Sequence, residues 1–133
     1  MKNFLILLFL LTPLLTYSQE FIESSEFESR IKPKSNFGED EIKIVVIEFW
    51  AKFNAQNDFK DWDKIEGADY YRVDISQASD LKKEYKIRMA PTLIIFKDGI
   101  KEISYKAGLD LVCPTTLEEL QEDIDELKTA SRF

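Results

Sequence analysis

The sequence predicts an α/β domain with a mixed central sheet, a βαβ unit followed by a ββα unit, and helices on both faces. Three observations predict it. Ile44 to Phe49 is an apolar, largely β-branched run interrupted only by Glu48, the pattern of a strand covered on both faces at the middle of a sheet. Lys97-Asp98-Gly99 separates an apolar run, Leu93 to Phe96, from an alternating one, Ile100 to Tyr105, and a tight turn with glycine supplying positive φ joins antiparallel neighbours. Leu117, Leu120, Ile124 and Leu127 make a one-sided stripe near the chain end, the face of a helix laid on a sheet.

Taken in order, residues 1–18 read as a leader. Lys2 opens it, Phe4 to Leu11 is uninterrupted and apolar, and Thr16-Tyr17-Ser18 places small residues at −3 and −1 of a cut before Gln19. That is a secretory signal peptide, with an apolar run too short for a membrane-spanning helix and no cysteine at the cut for a lipid. The expectation is an exported protein, periplasmic or secreted, with residues 19–133 forming a single domain and no stable membrane insertion after cleavage.

Phe27 and Ile31 share a helix face, with Ser24 or Ser25 as cap and Glu28 in a capping box with Ser25. Pro33 and Gly38 bracket a turn, and residues 36–41 form a loop before the central strand. After that strand, Asn54 or Asn57 caps a helix carrying Phe59, Trp62 and Ile65, with Asp58 and Asp61 in its first turns and Gly67 ending it. Ala68 to Ile75 is the next strand. Ser76 to Lys86 is the second crossover helix, capped by Ser79, with Leu81 and Tyr85 inward. Leu93 to Phe96 and Ile100 to Tyr105 form the hairpin, the latter a half-exposed edge strand. Gly108 ends it, residues 109–115 are an irregular link, and Thr116-Leu-Glu-Glu119 is a capping box for the last helix, whose acidic outer face reads as solvated surface.

Composition excludes several classes. The net charge is −7, or −8 once Lys2 leaves with the leader, a poor match to nucleic acid or anionic lipid. There is no histidine, which removes the usual general base and the commonest zinc ligand. Cys113 is the only cysteine, so no intramolecular disulfide forms. It reads as a buried apolar residue, an incidental thiol, or an intermolecular or redox residue. No motif for a metal or a cofactor is present.

The chain resembles the thioredoxin superfamily over about residues 20–129. The resemblance rests on Val46-Ile-Glu-Phe-Trp-Ala51, Val73-Asp74, Leu81-Lys-Lys-Glu-Tyr-Lys-Ile-Arg88, Met89-Ala-Pro-Thr-Leu-Ile-Ile-Phe-Lys-Asp-Gly99 and Gly108, in this order and spacing. It implies a thioredoxin-like sheet and a cis peptide bond at Pro91. It also implies that the two redox-cysteine positions are Asn54 and Asn57. Dithiol exchange requires an attacking thiolate and a resolving thiol, and neither asparagine supplies one. The family's helix at this point is also several residues shorter here than usual.

The resemblance further implies that Glu48 is the buried acid behind the missing thiols and that Arg72 stands near it on the adjacent strand. A carboxylate in a covered strand needs a partner to remain ionised, so Glu48 and Arg72 are expected to pair, as a relic, with general acid or base work by Glu48 the alternative. Ala90, ahead of Pro91, is expected to present free backbone N–H and C=O to a peptide-binding groove; the proline equally suits a turn that orders the sheet. The groove would comprise Trp50, Phe53, Asn54, Ala55, Gln56, Asn57, Ala90, Pro91 and Leu109. The function expected is redox-inactive binding of a protein or peptide, and resemblance to small exported thioredoxin-like proteins favours a bacterial envelope as its place. The alternatives are a structural or assembly subunit using another surface, such as strand 100–105 or the acidic last helix, and an atypical single-cysteine thiol oxidoreductase using Cys113. No cofactor and no metal are expected.

Overall fold

The computed structural model describes residues 20–33 and 42–130. The leader and most of the turn and loop between Pro33 and Glu41 fall outside the described residues. Helix α1 (Ser24–Ile31) precedes strand β1 (Ile44–Trp50), β2 (Asp69–Asp74), helix α2 (Ser79–Glu84), β3 (Thr92–Lys97), β4 (Ile100–Lys106) and helix α3 (Leu117–Thr129). The strand order is β2-β1-β3-β4. β1 runs parallel to β2 and antiparallel to β3, and β3 pairs antiparallel with β4.

The sheet is covered on both faces because β1 is apolar on both. Val45, Ile47 and Phe49 point to the side carrying Phe27 and Ile31 of α1 and Leu81 of α2. Ile44 and Val46 point to the opposite side, against Leu120 and Ile124 of α3 and Phe59 of the first crossover. Each such side chain contributes about 1.5–3 kcal/mol when fully buried. The open edge of β2 is partly covered by the segment before α1: Ile22 N–H donates to the Arg72 carbonyl at 2.9 Å and Arg72 N–H to the Glu20 carbonyl at 3.0 Å.

Four sequence expectations change. The first crossover is not an α-helix. It consists of a 3₁₀ segment, Lys52–Asn57, with a non-helical break at Asn54, and a second 3₁₀ turn, Trp62–Lys64. The three-residue spacing of Phe59, Trp62 and Ile65 suits side chains that pack inward from irregular backbone as well as it suits a helix, and so short a helix is marginal without tertiary support. The second crossover is shorter than expected, a 3₁₀ turn (Ile75–Gln77) and then α2, with Ala78 rather than Ser79 at the cap. Helix α1 is capped by Glu23 in a reciprocal box with Glu26, one residue before Ser24 and two before Ser25. At α3, Thr116 does accept from Glu119 N–H, at 3.2 Å, but the Glu119 carboxylate accepts from the Thr115 hydroxyl.

The hairpin turn forms with positive φ at both Asp98 and Gly99, the geometry that suits the strand twist. A register irregularity at Ile95/Phe96 bends the β3–β4 ladder, and Ile100 stands exposed. Among the described residues no helix is long and apolar enough to cross a membrane.

Candidate functional site

The site lies at the carboxyl end of β1, where the chain leaves the sheet. Two polar constellations meet there. The first is built on Asn54, which is 5% exposed. Both of its amide hydrogens are used: Nδ2 donates to the Ala90 carbonyl at 2.8 Å and to the Leu111 carbonyl at 2.8 Å. Its oxygen accepts from Asn57 Nδ2 at 2.8 Å. Asn54 and Asn57 therefore form a hydrogen-bonded pair that ties three segments together: the 3₁₀ segment, the loop before β3 and the loop after β4.

The Ala90–Pro91 peptide bond is cis, and both residues are buried. Ala90 thus departs from the expectation of a free backbone edge. Its carbonyl is taken by Asn54, and with one lone-pair direction engaged and the residue buried, strand-like pairing of a peptide at this oxygen is disfavoured. Leu111 has φ 58, a left-handed conformation that costs a side-chain-bearing residue about 1–2 kcal/mol. Its N–H donates to the Gly108 carbonyl at 3.0 Å and its own carbonyl is held by Asn54.

The second constellation is the buried ion network behind this pair. Glu48 is fully buried and meets Arg72 at 2.9 Å. It also accepts from the Tyr70 hydroxyl and, at 3.4 Å, from Phe59 N–H. Arg72 reaches on to Asp58 at 3.2 Å and to the Phe59 carbonyl at 3.2 Å. Asp58 accepts from Trp50 Nε1 at 3.2 Å and pairs with Lys60. Register explains the core of it, since Glu48 and Arg72 are direct partners in the β1–β2 ladder. Burial raises the Glu48 carboxyl above its ordinary value, with Arg72 and Tyr70 opposing. Burial and the neighbouring Glu48 carboxylate push the Tyr70 hydroxyl far up, so Tyr70 stays a donor.

The remaining predicted residues divide. Trp50 packs edge-on to Phe21 at 5.2 Å between ring centres, and its indole N–H is committed to Asp58; it anchors the wall. Phe53 is 75% exposed and Leu109 93% exposed. Gln56 is exposed and Ala55 half-buried, its carbonyl accepting from Lys60 Nζ at 3.1 Å. Val112, which the sequence reading omitted, is 53% exposed and stands one residue beyond Leu111. Asp58 and Tyr70 were also missed; Tyr70 lies two residues before Arg72 on the same strand face, a period-two signal that points to it.

Cys113 is half-buried, its sulfur 3.5 Å from the Thr115 carbonyl. Burial raises its thiol above the ordinary value, which keeps it protonated and poorly nucleophilic. No group of three or more metal-ligating side chains occurs among the described residues.

The family model described as "Thioredoxin" matches residues 19–126. A thioredoxin of Coprinus comatus is 36% identical over 86 residues, covering 59% of this chain and 77% of that protein. Thioredoxin-1 of Saccharomyces cerevisiae is 30% identical over 95 residues, covering 67% of this chain and 84% of that protein. Among solved structures, the Malassezia sympodialis thioredoxin, described as a member of a new pan-allergen family, aligns with a TM-score of 0.52 at 25% identity, over 82% of this chain and 90% of that one. A mutant thioredoxin of Halobacterium salinarum aligns with a TM-score of 0.56 at 16% identity, over 83% and 89%, a likeness of fold alone.

Proposed function

The chain belongs to the thioredoxin family without the family's redox cysteine pair, and from that premise we propose that it is an exported, redox-inactive protein that binds a protein or peptide partner through the rim of its degenerate site. The observation that carries this reading is the double hydrogen bond of Asn54 to Ala90 and Leu111. It replaces the chemistry of the site by a fixed scaffold. On that scaffold, Phe53, Leu109 within the turn from Gly108 to Leu111, and Val112 just after it carry exposed apolar surface. Exposed apolar side chains on segments that Asn54 ties together support an interaction surface at this rim. Each gives about 1.5–3 kcal/mol when a partner covers it fully.

Export is proposed on the leader pattern of residues 1–18, and the cell envelope is the proposed place of action. Enzymatic thiol chemistry is disfavoured because the one thiol is held protonated and lacks a resolving partner. The second reading, an assembly subunit using β4, is favoured by that strand's position at the end of the sheet, although Lys101, Glu102 and Lys106 place along it the charges that block edge pairing.

The test is paired. An insulin-reduction assay of the mature chain gives no turnover, and capture of its partner from the producing cell's envelope fails for Phe53→Ser. Turnover, or undiminished capture by Phe53→Ser, contradicts the proposal.

A further inference from the structure

Beside the cis-proline loop is a cleft of about 380 Å³ lined by Lys86, Arg88, Met89, Thr92, Lys106 and Ala107. Three cations and no carboxylate line it, on a chain whose net charge is −7. Lys86, Arg88 and Lys106 are all exposed, and none makes an ion pair among the described residues. Their placement follows from the fold. Lys106 is the register partner of Thr92 where β3 and β4 meet the loops. Ala107 N–H donates to the Pro91 carbonyl at 3.3 Å, so the wall of the cleft continues in two residues to the exposed Leu109.

Lys86 supplies an independent observation. It follows α2 with φ 53, its N–H on the Lys83 carbonyl at 3.3 Å and that of Ile87 on the Lys82 carbonyl at 2.9 Å. This left-handed helix-end position is ordinarily glycine, and a lysine there is less stable than glycine on backbone grounds. Favourable charge at the helix end does not account for it, because Lys82 and Lys83 already serve the last turn. A cation kept at a strained position, facing a cleft with two others, has a use for its charge.

The geometry points to an anion subsite: Lys86, Arg88 and Lys106 receive a side-chain carboxylate of an acidic polypeptide partner whose apolar residues cover Leu109 and Phe53. This rests on the partner-binding reading above and adds the partner's chemistry to it. The arginine fork matches a carboxylate in two hydrogen bonds, and the cleft's continuity with the apolar rim favours a peptide over a free ion.

The experiment uses the mature chain and two labelled peptides of glutamate interspersed with leucine and of glutamine interspersed with leucine, followed by fluorescence anisotropy. The glutamate peptide binds about tenfold or more tightly, the scale of one charge-assisted hydrogen bond, and the advantage shrinks as salt is raised. Arg88→Gln and Lys106→Gln lose the advantage, whereas Lys64→Gln, at a surface lysine remote in sequence from the cleft, retains it. Lys86→Gly weakens glutamate-peptide binding while raising the melting temperature, a combination that damage to the fold does not produce. Equal binding of the two peptides, no binding of either, or an equal loss in Lys64→Gln overturns the subsite. Inorganic phosphate that binds as tightly as the glutamate peptide overturns its assignment to a polypeptide. Phe53→Ser separates the two ideas: cation variants that fail while Phe53→Ser binds normally leave the cleft standing and remove the rim, and the converse removes the cleft alone.

Discussion

The side-chain amide of Asn54 donates to the carbonyl of Ala90 at 2.8 Å, so the 3₁₀ segment after β1 is bonded to the residue ahead of the cis-proline. With the second N–H on Leu111 and the oxygen accepting from Asn57, an amide is the one neutral side-chain chemistry that serves all three contacts. Serine has a single donor, and an aspartate has none when ionised. Asn54→Ala leaves two inward-facing carbonyls without that donor. The expected loss is about 2–3 kcal/mol, read by urea denaturation. Asn57→Ala, which removes one donor to Asn54, is expected to cost about 1 kcal/mol. Asn54→Asp at neutral pH is expected to exceed Asn54→Ala, because it sets a carboxylate against two carbonyl oxygens.

The left-handed Leu111 gives a prediction of opposite sign. Leu111→Gly relieves the backbone penalty and is expected to stabilise the protein by about 0.5–1 kcal/mol. If Leu111 is set by its turn rather than by side-chain packing, the melting temperature rises. A fall would mean that its half-buried side chain outweighs the backbone.

Glu48 predicts a pH dependence. Burial holds its folded-state value above the ordinary 4.5, so the folded chain keeps this proton to higher pH than the unfolded chain. Its contribution to stability is therefore fully present below about 4.5 and is lost as the pH rises through the folded-state value. Glu48→Gln cannot titrate and escapes this loss. Denaturation at a series of pH values from about 4 to about 7 should show the wild type losing ground to Glu48→Gln; a constant or reversed difference contradicts it. Arg72→Met, by contrast, leaves the Glu48 and Asp58 carboxylates without their buried cation and is expected to cost about 3–5 kcal/mol.

Much of the fold was legible because its signals are local and strong. The two-faced β1, the Asp98-Gly99 turn and the α3 stripe each specify one structure. The Glu48–Arg72 pair was legible for a different reason: a charge in a covered strand demands a partner, and the family register names it. The first crossover was misread because Phe59, Trp62 and Ile65 report only that three side chains point inward, which a 3₁₀ path also achieves. Asp58, read as a helix-dipole acid, is instead committed to Trp50, Lys60 and Arg72. The closure of Ala90 was not legible either. That Asn54 lacks a thiol is written in the sequence, but which distant carbonyls its amide will meet depends on loops brought together only by folding.

The apolar rim makes a prediction about stability as well as binding. Phe53 and Leu109 make little use of their side chains in the folded chain, so Phe53→Ser and Leu109→Ser should change unfolding free energy by no more than about 0.5 kcal/mol. Partner capture should fall in both. Loss of capture with retained stability separates a binding role from a packing role.

The most direct measurement places a photo-crosslinking amino acid at position 53 in one preparation and at position 102, on the outer strand β4, in another, and illuminates each in the producing cell. A redox-inactive partner-binding protein that uses this rim crosslinks a discrete polypeptide from position 53 and not from position 102. Crosslinking from position 102 alone, or none from position 53, would contradict it.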